Sequence, residues 1–228
     1  MAETKKSLDI IGHDGKPIKN TLTSLGNKGK IAIVFPGIGY TCQMPLLYYA
    51  TVALLGKGYD VLWVEYDYKN ERFSTSRARE KVEWMNFDAD ESYKTAISTG
   101  RYKHVVLVGK SLGTFALVRL NTRINDIEKS IWLTPLLKKP SAVGIDVYNK
   151  IKGVCKNGLF IIGTEDPHYD KTKIRALEAL GAKSLSILGA DHSLEIESTS
   201  NGSNEIEISP LKSLKALEQV VKEIEGFV

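Results

Sequence analysis

Cysteine is nearly absent from this 228-residue chain, which carries only Cys42 and Cys155. Two thiols cannot build a disulfide framework, and they lack the spacing of a metal-binding pair. Both are expected to be reduced, as in a cytoplasmic protein. Long apolar runs are missing too. None approaches the roughly 20 residues that a membrane span needs, and Met1–Asp9 has no apolar stretch of signal-peptide type. Charge of one sign is nowhere concentrated. The 31 basic and 27 acidic side chains leave a formal charge of +4. Lys and Arg are scattered, so a nucleic-acid partner is not expected. Histidine occurs four times, and no His/Cys cluster points to a metal. Nucleotide-binding glycine patterns are also lacking. Gly37-x-Gly39 has no third spaced glycine, and Gly109-Lys110-Ser111 ends like a phosphate loop but has His104 where that loop needs glycine. No cofactor is expected.

What is present reads as one globular unit. The hydrophobic fraction is 43% and the charged fraction 25%, ordinary values for a globular protein long enough to bury a substantial core. Six short apolar runs stand out: Ile31–Phe35, Asp60–Val64, His104–Val108, Ser130–Leu133, Leu159–Ile162 and Ser184–Leu188. Each is near-continuously apolar rather than alternating, the pattern of strands buried on both faces. Helical patterns lie between and after them, at Met44–Leu55, Glu80–Ser98, Leu112–Arg123, Thr172–Leu180 and Leu211–Ile224. Asn86–Asp90 weakens the middle of the second. Ser209 and Pro210 suit the start of the last. This alternation predicts an α/β fold: a doubly wound, mainly parallel sheet flanked by helices, in a single domain over residues 1–228 without a large cap. Two hairpins are expected outside that rhythm, one within residues 7–22 turning at His13–Lys16, the other within 193–208 turning at Asn201–Gly202. The polar stretch Lys69–Arg79 is expected to be a loop.

One pentapeptide carries chemistry. Gly109-Lys110-Ser111-Leu112-Gly113 follows an apolar run and opens a helical one. This is the Gly-x-Ser-x-Gly nucleophile elbow in its strand–turn–helix context. The turn must push the serine oxygen clear of the backbone, and side chains at the flanking glycines would collide with the neighbouring strand and helix. The competing reading is a tight turn with an incidental serine.

On these residues the chain resembles the α/β-hydrolase family, and the resemblance covers most of its length. The family's order is nucleophile, acid, histidine. The resemblance implies that Ser111 is the nucleophile and His192, in Gly189-Ala190-Asp191-His192-Ser193 after the last strand, the general base. His13 precedes the sheet, His104 starts the strand leading to Ser111, and His168 is too near the acid. The family's Gly-x-x-Asp pattern at Gly163-Thr164-Glu165-Asp166 implies Asp166 as the acid. Glu165 and Asp170 compete, Asp170 also being a candidate helix cap. Some relatives take the acid from the preceding strand end, but Thr134-Pro135-Leu136-Leu137 offers no carboxylate. The oxyanion donors implied are the amides of Leu112 and of Ile38, with Gly39 as the rival, in Pro36-Gly37-Ile38-Gly39-Tyr40-Thr41.

The implied activity is hydrolysis of a small-molecule carboxylic ester or thioester through an acyl-enzyme on Ser111, with Tyr40 near the substrate. The compact chain is similar to the dienelactone-hydrolase-like and thioesterase-like branches, although dienelactone hydrolases use cysteine where this chain has Ser111. An inactive binding or scaffold protein on the same fold is the alternative. Trp63, Trp84 and Trp132 read as packing residues. The pocket is expected near Tyr40, Leu136–Pro140, the 69–79 stretch and the 193–208 hairpin.

Overall fold

The computed structural model describes residues 3–26, 29–138, 146–199 and 206–228. The six apolar runs form parallel strands: β3 (Lys30–Phe35), β4 (Asp60–Glu65), β5 (His104–Lys110), β6 (Ile127–Leu133), β7 (Gly158–Gly163) and β8 (Lys183–Ile187). Two further strands, β1 (Thr4–Lys6) and β2 (Lys19–Ser24), extend the sheet antiparallel. The order is β1-β2-β4-β3-β5-β6-β7-β8. The N-terminal hairpin is therefore part of the main sheet, and it is wider than residues 7–22. Its closing segment is pinned by the Ile11–Pro17 bridge.

Alternate residues along each strand serve two separate cores. Ile31, Ile33, Phe35, Leu107, Trp132 and Phe160 face one side, where they meet helices α3 (Ala78–Ser98), α4 (Thr114–Arg123), α5 (Tyr148–Lys152) and α6 (Lys171–Ala179). Ala32, Val34, Val106, Val108, Ile131 and Ile161 face the other, under α1 (Pro45–Gly56) and α7 (Pro210–Phe227). Burial on both faces is why β3 to β7 read as continuous apolar runs, whereas in edge strand β8 only Ile187 is buried. The architecture is a single-domain α/β fold, doubly wound around a mainly parallel sheet.

Two expectations change. The stretch around 69–79 holds a helical turn, α2 (Glu71–Thr75), and the beginning of α3. Asn70 caps α2 by accepting from the Phe73 amide, and buried Phe73 stacks on Tyr68. A turn held by one cap and one ring leaves no periodicity to read. Helix α3 also runs unbroken through Asn86–Asp90. Asp88 is tolerated there because its carboxylate accepts from the His13 amide and the Tyr68 hydroxyl. The second expected hairpin pairs β9 (Glu197–Thr199) with β10 (Ile206–Ile208), antiparallel, while Asn201–Gly202 lies outside the described residues. Among the described residues no helix is long and apolar enough to cross a membrane.

Trp132 and Phe160, both fully buried, stack at 5.2 Å between ring centroids. Truncating Phe160 opens a cavity the sheet cannot close. Phe160→Ala is expected to lower the unfolding free energy by about 3–5 kcal/mol, measured by urea denaturation.

Candidate active site

The parallel strands all end on one edge, and the expected site residues gather there. Ser111 follows β5 in a single 3₁₀ turn, Ser111–Gly113, and has φ +50°. A left-handed serine is costly, about 1–3 kcal/mol, unless its surroundings enforce it. Close packing enforces it here. A Cβ on Gly113 would lie 2.0 Å from the Phe35 carbonyl oxygen, and one on Gly109 would lie 2.7 Å from the Gly113 carbonyl oxygen. The turn can thus fold tightly against the end of β3 only with hydrogen at both positions.

Ser111 Oγ lies 2.8 Å from His192 Nε2, and His192 Nδ1 lies 2.7 Å from Asp166 Oδ2. The Asp166 side chain is 0% exposed, and its other oxygen accepts from the His168 amide at 2.8 Å. An ionised carboxylate only accepts, so it fixes the imidazole proton on Nδ1 and turns the Nε2 lone pair toward Ser111. The loop carrying His192 is pressed onto the end of β7. The Glu165 amide donates to the Ala190 carbonyl, and a Cβ on Gly163 would meet that carbonyl oxygen at 2.0 Å.

The competing residues lie elsewhere. Glu165 is exposed, and Asp170 caps α6 by accepting from the Thr172 and Lys173 amides. His13 stacks on Trp84, and His104 pairs with Glu128 at the opposite end of β5. Trp132 is fully buried and Trp84 nearly so, while Trp63, half-buried, donates to Thr51. Both cysteines are free and buried. Among the described residues no group of three His, Cys, Asp or Glu side chains could hold a metal ion.

The loop after β3 approaches the serine through Gly37, whose Cβ position would be 3.1 Å from Ser111 Cβ. The Tyr66 hydroxyl donates to the Pro36 carbonyl at 2.6 Å, and Gly39 turns the chain at φ +70°. Among the described residues, the Ile38 and Gly39 amides donate to no backbone or side-chain acceptor. The Tyr40 hydroxyl accepts from the Leu46 amide, and burial raises its pKa. Beside Tyr40, a groove of about 720 Å³ runs along Met44, Leu194, Leu214 and Leu217. Of the segment 136–140, Leu136 and Leu137 are buried, and Lys139 and Pro140 lie outside the described residues.

Three residues here escape sequence reading. Lys110 is 2% exposed, and its ammonium donates to the His192 carbonyl at 3.1 Å. Thr134, at φ +44°, follows β6 and lies 3.4 Å from the same ammonium. His168 packs edge-on to His192, at 5.5 Å, and burial lowers its pKa. A signal existed for Lys110: a single charge at the end of a run otherwise buried on both faces.

The strain on Ser111 is testable. Ser111→Ala and Ser111→Gly both lose the hydroxyl and differ only by a Cβ in a left-handed position. The glycine variant is expected to be more stable by about 1 kcal/mol, read from denaturation midpoints.

No family model matches the chain, and no curated protein matches it. Solved structures do. An esterase of Pyrococcus furiosus is 16% identical, with a TM-score of 0.71 over 99% of this chain and 90% of the other. An esterase of Butyrivibrio proteoclasticus with ferulic acid bound is 15% identical, with a TM-score of 0.69 over 96% of each chain. A serine hydrolase of Xanthomonas campestris, described as lacking a lid, is 14% identical, with a TM-score of 0.66 over 99% and 93%. By its likeness to these solved structures and its mainly parallel eight-stranded sheet, the chain has the α/β-hydrolase fold.

Proposed function

We propose that this protein is a serine hydrolase that cleaves a carboxylic ester or thioester through an acyl-enzyme on Ser111. The observation that carries the reading is the continuous chain of short contacts from Ser111 Oγ through both nitrogens of His192 to buried Asp166. In this reading the Ser111 oxygen attacks the acyl carbonyl while His192 Nε2 takes its proton. Asp166 holds the imidazole in the required tautomer and stabilises the imidazolium that forms. The carbonyl oxygen becomes an oxyanion facing the amides of Leu112 and Ile38, with Gly39 as the alternative second donor. Collapse of this intermediate expels the alcohol or thiol, which takes the proton back from His192. Water, deprotonated by the same nitrogen, then releases the acid and restores Ser111.

The chemistry of the walls supports an apolar group on the substrate. The groove beside Tyr40 is mostly aliphatic and adjoins the residues that follow His192. Tyr40 is the proposed contact between that group and the reacting centre. The esterases of similar fold support ester cleavage as the reaction class. The two free thiols are consistent with a reducing, cytoplasmic location.

Initial rates on a panel of p-nitrophenyl esters and acyl thioesters test this reading. At least one substrate is expected to turn over, and Ser111→Ala is expected to lower kcat/KM by about 10³-fold or more with little change in Tm. A Ser111→Ala protein as active as the wild type would contradict an acyl-enzyme at this serine.

A further inference from the structure

Lysine is among the residues least often buried without an ionic partner, yet Lys110 lies in the core immediately before the proposed nucleophile. It ends a strand, β5, whose preceding residues Val105–Gly109 are all buried. The nearest groups explain why it is tolerated. Its Nζ donates to the His192 carbonyl at 3.1 Å and lies 3.4 Å from Thr134 Oγ1. The same nitrogen sits over the Tyr40 ring, 4.4 Å from the centroid. These contacts reach three different segments: the chain just after β6, the loop carrying His192, and the loop carrying Ile38 and Gly39. Lys110 itself supplies the fourth, the strand carrying Ser111.

We propose that Lys110 is a positioning residue whose buried ammonium ties the His192 loop and the Tyr40 side of the oxyanion loop to the nucleophile strand. This role rests on the hydrolase reading above. A hydrogen bond from an ammonium is about twice as strong as one from a neutral amine, and the attraction to the Tyr40 face exists only for the cation. Protonated Lys110 therefore holds both loops, and neutral Lys110 holds them weakly. A displacement of His192 by about 1 Å is enough to cost roughly 100-fold in rate.

The surrounding charges decide when the cation is lost. Burial pushes the Lys110 ammonium down to about 8, against the attraction of Asp166 from the loop after β7 and Asp191 from the loop after β8. Tyr40, whose ring the ammonium faces, and beyond it Glu195 are further titratable groups beside this cluster. Activity is therefore expected to fall as pH rises through about 8.

Stability moves the other way. The folded-state pKa of Lys110 is below its unfolded value, so the unfolded chain binds more protons between the two. The contribution of Lys110 to stability thus rises with pH across the window from about 8 to the ordinary lysine value. Loss of rate with no loss of stability in that window separates the loop-holding role from alkaline unfolding.

The test is the pH profile of ester turnover by wild type, Lys110→Met and Thr134→Val, with thermal melts at each pH. Wild type is expected to show an alkaline limb near pH 8 in kcat/KM. Lys110→Met is expected to lose about 10- to 100-fold in kcat at pH 7, with KM changed less than about threefold, and to lack that limb. Thr134→Val removes one acceptor from the ammonium and is expected to move the limb to lower pH by about half a unit, which holds even if Lys110→Met does not fold. Wild-type kcat in a folded Lys110→Met protein, or a limb unmoved in Thr134→Val, overturns the role of Lys110 and leaves the hydrolase reading standing. Absence of turnover across the whole ester and thioester panel contradicts the hydrolase reading, and the role of Lys110 with it.

Discussion

The end of β5 is where every other part of the site takes its position. There the chain turns through a left-handed serine while its two flanking glycines press against the carbonyl oxygens of Phe35 and Gly113. The contact between Gly113 and Phe35 fixes how near the loop after β3 comes to the serine. It also sets the start of α4, and so the direction of the Leu112 amide. Strain at one residue is tolerated because two buried cores hold the strand on both faces. The cost of the turn, about 1–3 kcal/mol, is small beside the burial that enforces it.

A second close approach mirrors the first. Gly163 lets the Ala190 carbonyl pass against the end of β7, so the loop after β8 cannot drift from the loop holding Asp166. The carboxylate of Asp166 is buried with both oxygens satisfied, one by an amide and one by His192. A buried carboxylate with only one partner would be costly, so the same pair of bonds that orients the imidazole also makes its neighbour's burial tolerable. Lys110 lies behind this arrangement and bonds to the backbone of His192 rather than to its ring. Its proposed effect on the reaction is therefore through position.

Much of this was legible in the sequence, for identifiable reasons. Strands covered on both faces leave continuous apolar runs, as in β3 to β7, and the sixth run read from the sequence is the edge strand β8. The glycines around Ser111 are legible because their sites exclude any side chain. The family resemblance, with its order of nucleophile, acid and histidine, implied Asp166 and His192; Asp166 bonds to His192, and His192 lies at hydrogen-bond distance from Ser111. The short polar helix at Glu71–Thr75 was not legible, because its stability comes from one cap and one buried ring. Nor was the main-sheet role of β1 and β2, since an antiparallel edge depends on a distant partner, β4. Lys110 reads in sequence as the variable position of a motif. Its proposed role rests on contacts with Thr134, Tyr40 and His192, which lie 24, 70 and 82 residues away in the sequence.

The central claim is that Ser111, among the chain's many serines, is the one made nucleophilic by its neighbours. Reaction of the folded protein with a fluorophosphonate, followed by intact mass and peptide mapping, tests it most directly. The account predicts a single adduct on Ser111, abolished by prior unfolding and by His192→Ala. A folded protein that stays unlabelled, or one labelled at a different residue, would contradict it.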